Sequence, residues 1–408
     1  MNLPSEFIEE VSRLLGKDEL ESFQEAMHKP CPVSIRLNPN KMTDDVYAEL
    51  IGQLGLSEEN KVAWCEHGYY LDSRPSFTMD PLFHAGAYYV QEASSMFIAH
   101  LVKQYVGEMA VNALDLCAAP GGKSTLLLSC LSDNSTLIAN EINGKRARIL
   151  QENITKWGAR NVTVTNNCAA DFKHLHEHFD LILCDVPCSG EGMFRKDEGA
   201  IREWSLQNVE MCWQRQREIV SDIWGCLKEG GYLIYSTCTY NTHENEENIQ
   251  WISRELGAEI LPCNAPEEWN IKGNMLQGAD FDCCHFMPHR VEGEGFFCAI
   301  LKKNVVNEPL TYEEGCCRRQ SKNKKPALSI LSTEMSGNET MPCASCEVDR
   351  TTALQYLRGE ALRLEPSVPR GIVTITYKGL PLGPVKNIGN RANNLYPKEW
   401  RIKKQISI

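Results

Sequence analysis

Apolar positions follow two different periods along residues 111–303. Short apolar runs alternate with longer segments whose apolar residues recur every third or fourth position, which is typical of buried strands alternating with helices. The predicted strands are 111–116, 136–139, 162–165, 181–184 and 232–235, with an edge strand near 296–301, and a long helix is predicted over 206–227. The alternation predicts an α/β fold in which helices cover both faces of a parallel sheet.

The remaining segments differ from this region in their periodicity. Residues 1–80 combine a helical pattern with a short alternating strand, which predicts a small α+β module. In that strand Arg36 and Asn38 share one face, which we expect to be solvated. Residues 304–350 lose periodicity and are predicted to form a linker or surface loop. The predicted domains are therefore 1–80, 81–303, 304–350 and a small, mostly β module at 351–408.

Charge is distributed unevenly along the chain. The 408 residues carry a formal net charge of −12, which argues against a surface coated with cations but allows a local basic groove. From residue 370 onward there are eight Lys or Arg and one acidic residue. Three aromatic residues, Tyr377, Tyr396 and Trp400, are interleaved with these cations. Such an excess is typical of nucleic-acid binding, and exposed aromatic rings would add stacking surfaces for bases.

The 18 cysteines indicate a reducing compartment. Many lie inside apolar runs, and the first residues lack the basic and apolar regions of a signal peptide. No apolar stretch reaches the length of a membrane span. We therefore expect a cytoplasmic protein without a membrane partner, in which most cysteines are small buried hydrophobes. Cys343 and Cys346 have metal-ligand spacing but no second pair, so no metal site is predicted.

The first predicted strand leads into a glycine-containing loop at residues 115–125. Residues 122–124 match the tail of a phosphate-binding P-loop, but that motif needs a glycine where Cys117 stands. The spacing of a dinucleotide fingerprint is also absent. A loop for S-adenosyl-methionine fits better, because Glu141 lies 20 residues after Gly121 at the end of the next strand. A carboxylate there can accept hydrogen bonds from ribose hydroxyls.

Two cysteines follow the ends of predicted strands. Asp185 and Cys188 come after strand 181–184, and Cys238 comes after strand 232–235. Because ligands bind beyond the carboxyl ends of parallel strands, we expect the thiols to face each other across an unstacked base. Addition of a thiolate to carbon 6 of cytosine activates carbon 5 toward a methyl donor. Asp185 could hydrogen-bond the ring, and a second thiol suits the later release step.

The pattern does not decide which cysteine attacks. A Pro-Cys pair such as that at Cys188 is also the nucleophile motif of DNA cytosine methyltransferases. Those enzymes lack the motif around Cys238, and unstacked bases are most accessible in RNA loops, so RNA is the expected substrate. His243 is a further candidate base near the thiols. The acidic run at 244–247 is interpreted as the first turn of a helix.

Three sequence blocks, which begin at Asp115, Asp185 and Ser236, closely resemble the signatures of the Nol/Nop/Sun family. Members of that family are RNA (cytosine-5) methyltransferases that use S-adenosyl-methionine. The resemblance covers nearly the whole chain and is weakest in 303–350. From Gly379 onward the chain is similar to the bacterial RsmF-type members, which modify small-subunit ribosomal RNA. The resemblance implies a Rossmann-like class I methyltransferase sheet between an amino-terminal and a carboxy-terminal RNA-binding module.

The resemblance also implies roles for individual residues. Cys238 would be the nucleophile, Cys188 would assist product release, and Asp185 would lie beside the base and the cofactor. The implied S-adenosyl-L-methionine site consists of Cys117, Ala118, Ala119, Pro120, Gly121, Gly122, Lys123, Glu141 and Asp185. Several relatives carry an adenine-binding aspartate after the third strand. This chain has Asn167 and Cys168 there, with Asp171 as a displaced substitute.

The resemblance gives the expected partners as well. Ribosomal RNA or the small ribosomal subunit is the expected partner, DNA is not, and a monomer is expected. Two alternatives stay open at this point. One is methylation of transfer RNA, and the other is a non-catalytic RNA-binding factor for ribosome assembly.

Overall fold

The structure is a computed structural model that describes residues 2–305, 328–331 and 344–403. The chain divides into two compact units, each assembled from segments that are distant in sequence. The first unit is Met1–Pro32, Glu92–Leu150 and Asn161–Leu331, and the second is Val33–Gln91, Gln151–Arg160 and Ser332–Ile408. The domain boundaries expected at 80, 303 and 350 stay a prediction. None of the helices in these described ranges is long and apolar enough to cross a membrane.

The strands of the described residues are β1 Val33–Leu37, β2 Gly68–Leu71, β3 Tyr88–Val90, β4 Asn112–Asp115, β5 Thr136–Asn140, β6 Val162–Thr165, β7 Phe179–Asp185, β8 Leu227–Thr237, β9 Ala258–Leu261, β10 Cys284–Phe286, β11 Phe296–Lys303, β12 Ser345–Glu347, β13 Gly371–Tyr377, β14 Leu380–Asn387 and β15 Ala392–Asn394. The helices are α1 Ser5–His28, α2 Asp44–Leu54, α3 Pro81–His84, α4 Ile98–Tyr105, α5 Gly122–Cys130, α6 Gly144–Trp157, α7 Glu198–Glu203, α8 Leu206–Trp224, α9 Glu246–Glu255 and α10 Arg350–Leu357.

One large mixed sheet organises the first unit. Its strand order is β10-β11-β8-β7-β4-β5-β6, and β9 also pairs with β11. The five strands from β4 to β8 are parallel, as the sequence predicted. Residues 181–184 of β7 are fully buried, because helices cover both faces of a parallel sheet. Asp185 of β7 pairs with Ser236 of β8, so these two strands end side by side.

The predictions at the antiparallel side of this sheet were partly wrong. Strand β11, predicted as an edge strand near 296–301, pairs with β8 on one side and with β9 and β10 on the other. Strands β9 and β10 were not predicted, because they have only 4 and 3 residues and are too short to show an alternating pattern. The predicted helix 206–227 ends at Trp224, and the chain enters β8 at Leu227.

An aromatic core of the first unit anchors the two loops that follow β7 and β8. Phe7 of α1 packs edge-on against Phe194 and Trp204, with ring centroids 5.0 and 5.5 Å apart. Phe23 of α1 meets Tyr240 at 5.3 Å in the same geometry. Phe194 lies in the loop after β7 and Tyr240 in the loop after β8. Both loops are therefore held by one cluster of rings.

The second unit contains two small sheets with a common core. Their strand orders are β2-β1-β3 and β12-β13-β14-β15. Side chains from both sheets, such as Ile35 and Val373, belong to one cluster of buried apolar residues. Arg36 is 1% exposed and Asn38 is fully buried, so the predicted solvated face is wrong. Nε of Arg36 donates to Oε1 of Gln91 at 2.9 Å, which supplies the partner that a buried cation needs.

The carboxy-terminal aromatic residues have a different role from the one the sequence suggested. Tyr377 and Tyr396 are only 4% and 3% exposed and belong to the core of the second unit. They cannot stack on bases, because their faces are covered. The cations at 370, 386, 391, 398 and 403 are exposed. Five of the cations behind the charge pattern are therefore exposed in the described residues, whereas two of the three rings are not available for stacking.

Candidate active site

Two thiols lie in contact at the carboxyl edge of the large sheet. Sγ of Cys188 is 3.2 Å from Sγ of Cys238, and the backbone N–H of Cys238 donates to Sγ of Cys188 at 3.4 Å. Both side chains are free and partly exposed. They meet because β7 and β8 are parallel neighbours that end together. The two cysteines face each other as expected, but their sulfurs are too close for a base to lie between them, so the expected position of the base stays a prediction.

The contact affects the protonation of the pair. The hydrogen bond with the Cys238 thiol raises the pKa of Cys188 well above its usual range, and burial adds to this effect. Two negative charges cannot be held 3.2 Å apart at low cost, so at most one of the sulfurs is ionised. With its pKa raised in this way, Cys188 keeps its proton at neutral pH. A thiol that keeps its proton suits hydrogen bonding and proton transfer better than nucleophilic attack.

Asp185 connects the cysteines to the loop after β4. Oδ2 of Asp185 accepts a hydrogen bond from Nζ of Lys123 at 2.9 Å, and Oδ1 accepts one from Oγ of Ser236 at 2.8 Å. Burial disfavours the charged lysine, but the neighbouring carboxylate outweighs burial and raises the pKa of Lys123. The pair is therefore ionic, and its carboxylate is fixed three residues before Cys188.

Residues 117–121 lie in the turn between β4 and α5, and Gly122 and Lys123 are the first two residues of α5. Gly121 has φ = 114°, a conformation that favours glycine. The backbone N–H of Ala118 donates to the carbonyl of Asn140 at 2.8 Å, and Nη2 of Arg146 donates to the carbonyl of Ala119 at 2.7 Å. Burial raises the pKa of Cys117 well above its usual range, so this thiol is neutral. The turn is thus tied to the end of the neighbouring strand.

Glu141 follows β5, next to this turn. Its side chain is only 3% exposed, and Oε1 accepts the backbone N–H of Asn143 at 2.8 Å. Oε2 lies 3.4 Å from Nη1 of Arg146. A carboxylate has about four acceptor positions, so hydroxyl groups of a ligand can still be accepted.

The region after the third parallel strand is occupied by local hydrogen bonds. Oδ2 of Asp171 accepts the backbone N–H of Cys168 at 2.9 Å and its thiol at 3.1 Å. The side chain of Asn167 accepts from the backbone N–H of Ser329 at 2.9 Å and donates to its carbonyl at 3.3 Å. Asp171 therefore stabilises its own turn, and its role as an adenine contact stays a prediction.

His243 does not reach the thiols through a hydrogen bond in the described residues. Its ring nitrogens bond to Glu247 at 2.7 Å and Glu210 at 2.9 Å, and its ring stacks on Trp213 at 4.7 Å. It lines a separate cavity of about 490 Å³ behind the loop that follows Cys238. With both nitrogens committed to carboxylates, His243 is a weaker candidate for the base than the second thiol.

Three buried acids near the thiols were missed by sequence reasoning. Glu191 is 1% exposed, and Asp115 and Glu244 are fully buried. Glu244 had been interpreted as part of an acidic helix start, but α9 begins only at Glu246. One sequence pattern could have revealed Glu191. It lies between two glycines shortly after the Pro-Cys motif, and an acidic residue in such a segment is not predicted to belong to the first turn of an α-helix.

Asp115 yields a prediction about pH. Oδ2 accepts from Oγ of Ser124 at 2.6 Å, while Oδ1 has no partner in the described residues. Burial raises the pKa of Asp115 to about 7, whereas an unfolded chain ionises near pH 4. Between these values the folded protein holds a proton that the unfolded chain has lost. This stabilising contribution is present at low pH and disappears as pH rises through about 7.

Asp115→Asn removes this titration. Between about pH 5 and about pH 7.5 we expect wild-type stability to fall by about 2–3 kcal/mol relative to the variant. Thermal unfolding of both proteins across this range, without cofactor, measures the difference between their midpoints. A difference that does not change with pH would contradict the assignment.

Three family matches cover most of the chain. Residues 107–302 match the family described as 16S rRNA methyltransferase RsmB/F. Residues 3–93 match the N-terminal domain of 16S rRNA methyltransferase RsmF, and residues 343–402 match the methyltransferase RsmF PUA domain.

Individual relatives agree with these matches. Ribosomal RNA small subunit methyltransferase F of Cronobacter sakazakii is 33% identical over 393 residues, which cover 91% of this chain and 77% of the relative. A protein of the same name from Pectobacterium atrosepticum is 32% identical over 322 residues, 76% of this chain, and the match spans only 64% of that relative's length. A solved methyltransferase homolog from Pyrococcus horikoshii is 26% identical with a TM-score of 0.60, and the match covers 74% of this chain and 100% of that one. This likeness confirms the predicted Rossmann-like methyltransferase fold, and the chain belongs to the ribosomal RNA small subunit methyltransferase F family.

Proposed function

We propose that this protein transfers a methyl group from S-adenosyl-L-methionine to carbon 5 of a cytidine in RNA, with small-subunit ribosomal RNA as the substrate. The observation that carries the proposal is the 3.2 Å contact between Cys188 and Cys238, beside the Asp185 carboxylate at the carboxyl edge of the sheet. One thiol can add to a pyrimidine while the other assists its departure.

The residues of the turn after β4 fit the cofactor. Gly121 allows the backbone to approach a ligand closely, and α5 begins at Gly122, so the positive end of its helix dipole lies at this turn. Oδ1 of Asp115, at the head of the turn, is a buried acceptor without a partner in the described residues. Glu141 would accept the ribose hydroxyls, and residues 117–123 would surround the rest. When bound, S-adenosyl-methionine supplies the methyl group as an electrophilic carbon.

The two cysteines have different roles in the reaction of the base. The thiolate of Cys238 adds to carbon 6, a C–S bond forms, and the electrons of the ring double bond make carbon 5 nucleophilic. Asp185 and Lys123, 2.9 Å apart, would hold the polar edge of the ring through hydrogen bonds. After carbon 5 has gained the methyl group, it loses its proton to a base. The electrons of that C–H bond restore the double bond between carbons 5 and 6. The C–S bond breaks, its electrons leave with the sulfur of Cys238, and the neighbouring Cys188 assists this release.

An RNA substrate is supported by the second unit. The match to an RsmF PUA domain covers residues 343–402. The exposed cations at 370, 386, 391 and 398 belong to this segment, and Lys403 follows it directly. Cations on one surface neutralise phosphates and release counterions. The curated relatives are named for small-subunit ribosomal RNA, which is the substrate we propose here.

Bisulfite sequencing of total RNA, with and without the gene, tests the proposal. We expect one or a few cytidines of small-subunit ribosomal RNA to lose their resistance to conversion when the gene is absent, and to regain it with purified protein and S-adenosyl-methionine. Protection lost from transfer RNA instead would correct the substrate. An unchanged map, together with methylation of duplex DNA by the protein, would contradict the proposal.

A further inference from the structure

Two buried glutamates connect the loops that carry the cysteines. Glu191 belongs to the loop after β7, three residues beyond Cys188, and Glu244 belongs to the loop after β8, six residues beyond Cys238. Both are at most 1% exposed. Burial of a carboxylate costs several kcal/mol unless hydrogen bonds compensate it, so the partners of these two groups indicate what they stabilise.

Glu191 binds the backbone of the other cysteine's loop. Its Oε2 accepts the N–H groups of Tyr240 at 2.7 Å and Asn241 at 3.2 Å. Its Oε1 accepts Nε1 of Trp204 at 3.0 Å. The carboxylate that follows Cys188 therefore fixes the two backbone positions that come second and third after Cys238.

Glu244 makes the same connection in the opposite direction. Its Oε2 accepts the backbone N–H of Ser189 at 3.0 Å, the residue directly after Cys188. The same oxygen accepts Nε2 of Gln216 at 2.7 Å, and this amide also donates to the carbonyl of Pro187 at 3.0 Å. The carboxylate that follows Cys238 thus holds the backbone on both sides of Cys188.

Asn241 joins the two carboxylates. Its Nδ2 lies 2.9 Å from Oε1 of Glu191 and 2.9 Å from Oε1 of Glu244, and its Oδ1 accepts the backbone N–H of Glu244 at 2.8 Å. The backbone N–H of Gly192 adds a direct bond to the carbonyl of Cys238 at 2.8 Å. A Cβ at Gly192 would come within 2.9 Å of that carbonyl, so only glycine fits this approach.

We propose that Glu191 and Glu244 are positioning residues that fix the separation and facing of the Cys188 and Cys238 sulfurs, each by binding the backbone of the other's loop. The inference rests on the proposed function, because it assigns these acids to the two-thiol reaction. Neither carboxylate needs to touch the base. Hydrogen bonds that hold reacting groups in position have a large effect on the reaction rate, because a displacement of these groups by about 1 Å can lower the rate about 100-fold.

The test measures the geometry without methyl transfer. Diamide takes two electrons and two protons from the thiols of Cys188 and Cys238, which become joined by an S–S bond, and peptide mapping after alkylation follows this one pair. We expect disulfide formation in Glu191→Gln and in Glu244→Gln to be about tenfold slower or more. In each variant an amide nitrogen replaces one carboxylate oxygen, and this nitrogen cannot accept the hydrogen bonds that the N–H groups now donate to the carboxylate. Glu247→Gln is the matched control. In the described residues its carboxylate bonds to the imidazole of His243 and to no backbone group of either cysteine loop, and wild-type rates are expected.

Kinetics provide the second measurement. In both glutamate variants we expect kcat for RNA methylation to fall by about 10- to 100-fold, with KM for RNA and the affinity for S-adenosyl-methionine close to wild type. A general loss of folding would change all three quantities. If either glutamate variant fails to fold, Asn241→Ala, which keeps both carboxylates, is expected to slow disulfide formation in the same way.

Wild-type disulfide rates in folded Glu191→Gln and Glu244→Gln would overturn the inference. So would a wild-type rate in Asn241→Ala where the glutamate variants do not fold. Absence of methylation by the wild-type protein would instead count against the proposed function. The two failures are distinguishable, because the oxidation assay needs neither RNA nor cofactor.

Discussion

Replacing Cys238 by alanine is expected to abolish methylation of RNA while the fold and cofactor binding survive. The substitution removes the sulfur that would add to carbon 6, and without this bond carbon 5 of cytosine is not nucleophilic enough to take the methyl group. Loss of an attacking side chain commonly lowers kcat by on the order of 10⁴-fold or more. The side chain is partly exposed at the edge of the sheet, so little packing is lost.

Transfer of labelled methyl groups to small-subunit RNA measures this effect, and calorimetry with S-adenosyl-methionine shows whether the cofactor site is intact. Cys130→Ala is a matched control, because Cys130 is also a partly exposed cysteine outside any disulfide but lies at the far end of α5. It should retain full activity. Undiminished methylation by Cys238→Ala would end the assignment of this residue as the nucleophile.

Replacing Cys188 by alanine is expected to give a protein that stays covalently attached to its RNA. The sulfur of Cys188 lies 3.2 Å from that of Cys238, where it can assist departure of the nucleophile after methyl transfer. Without it the C–S bond between Cys238 and the base should form but break slowly. Incubation with RNA and S-adenosyl-methionine should therefore produce a protein–RNA band that resists denaturation, while multiple turnover is lost.

The double variant identifies the sulfur in this bond. Cys188→Ala combined with Cys238→Ala should give no such band. A band that persists in the double variant would require a different nucleophile. A band with Cys238→Ala but not with Cys188→Ala would show that the two roles are reversed.

The meeting of the two cysteines could be predicted because it depends on a general rule. Parallel neighbours in a sheet end at the same edge, so residues directly after strands 181–184 and 232–235 must come close. The same rule placed Asp185 beside them and the loop before α5 at this edge. The parallel direction of the five strands followed from the alternation of short apolar runs with helical segments in the sequence.

The hydrogen bonds that hold the two cysteine loops in place could not be predicted in this way. Glu244 follows Thr242 at the start of an acidic run, which has a sufficient local explanation as the first turn of a helix. Its true partners, Ser189 and Gln216, are far away in sequence and are brought near only by the completed fold. Arg36 illustrates the same difficulty, since an alternating strand does not reveal that a second segment will cover its polar face.

The interior of the second unit combines strands that are made at very different times during translation. Strands β1 to β3 are synthesised early, but the apolar side chains that complete their packing, among them Val373 and Val385, come from β13 and β14. On the ribosome the early strands must therefore wait with uncovered apolar surface until β13 and β14 have also been made. A shortened product that ends near residue 340 would keep this surface exposed, and removal of the carboxy-terminal segment is a poor route to a smaller soluble protein.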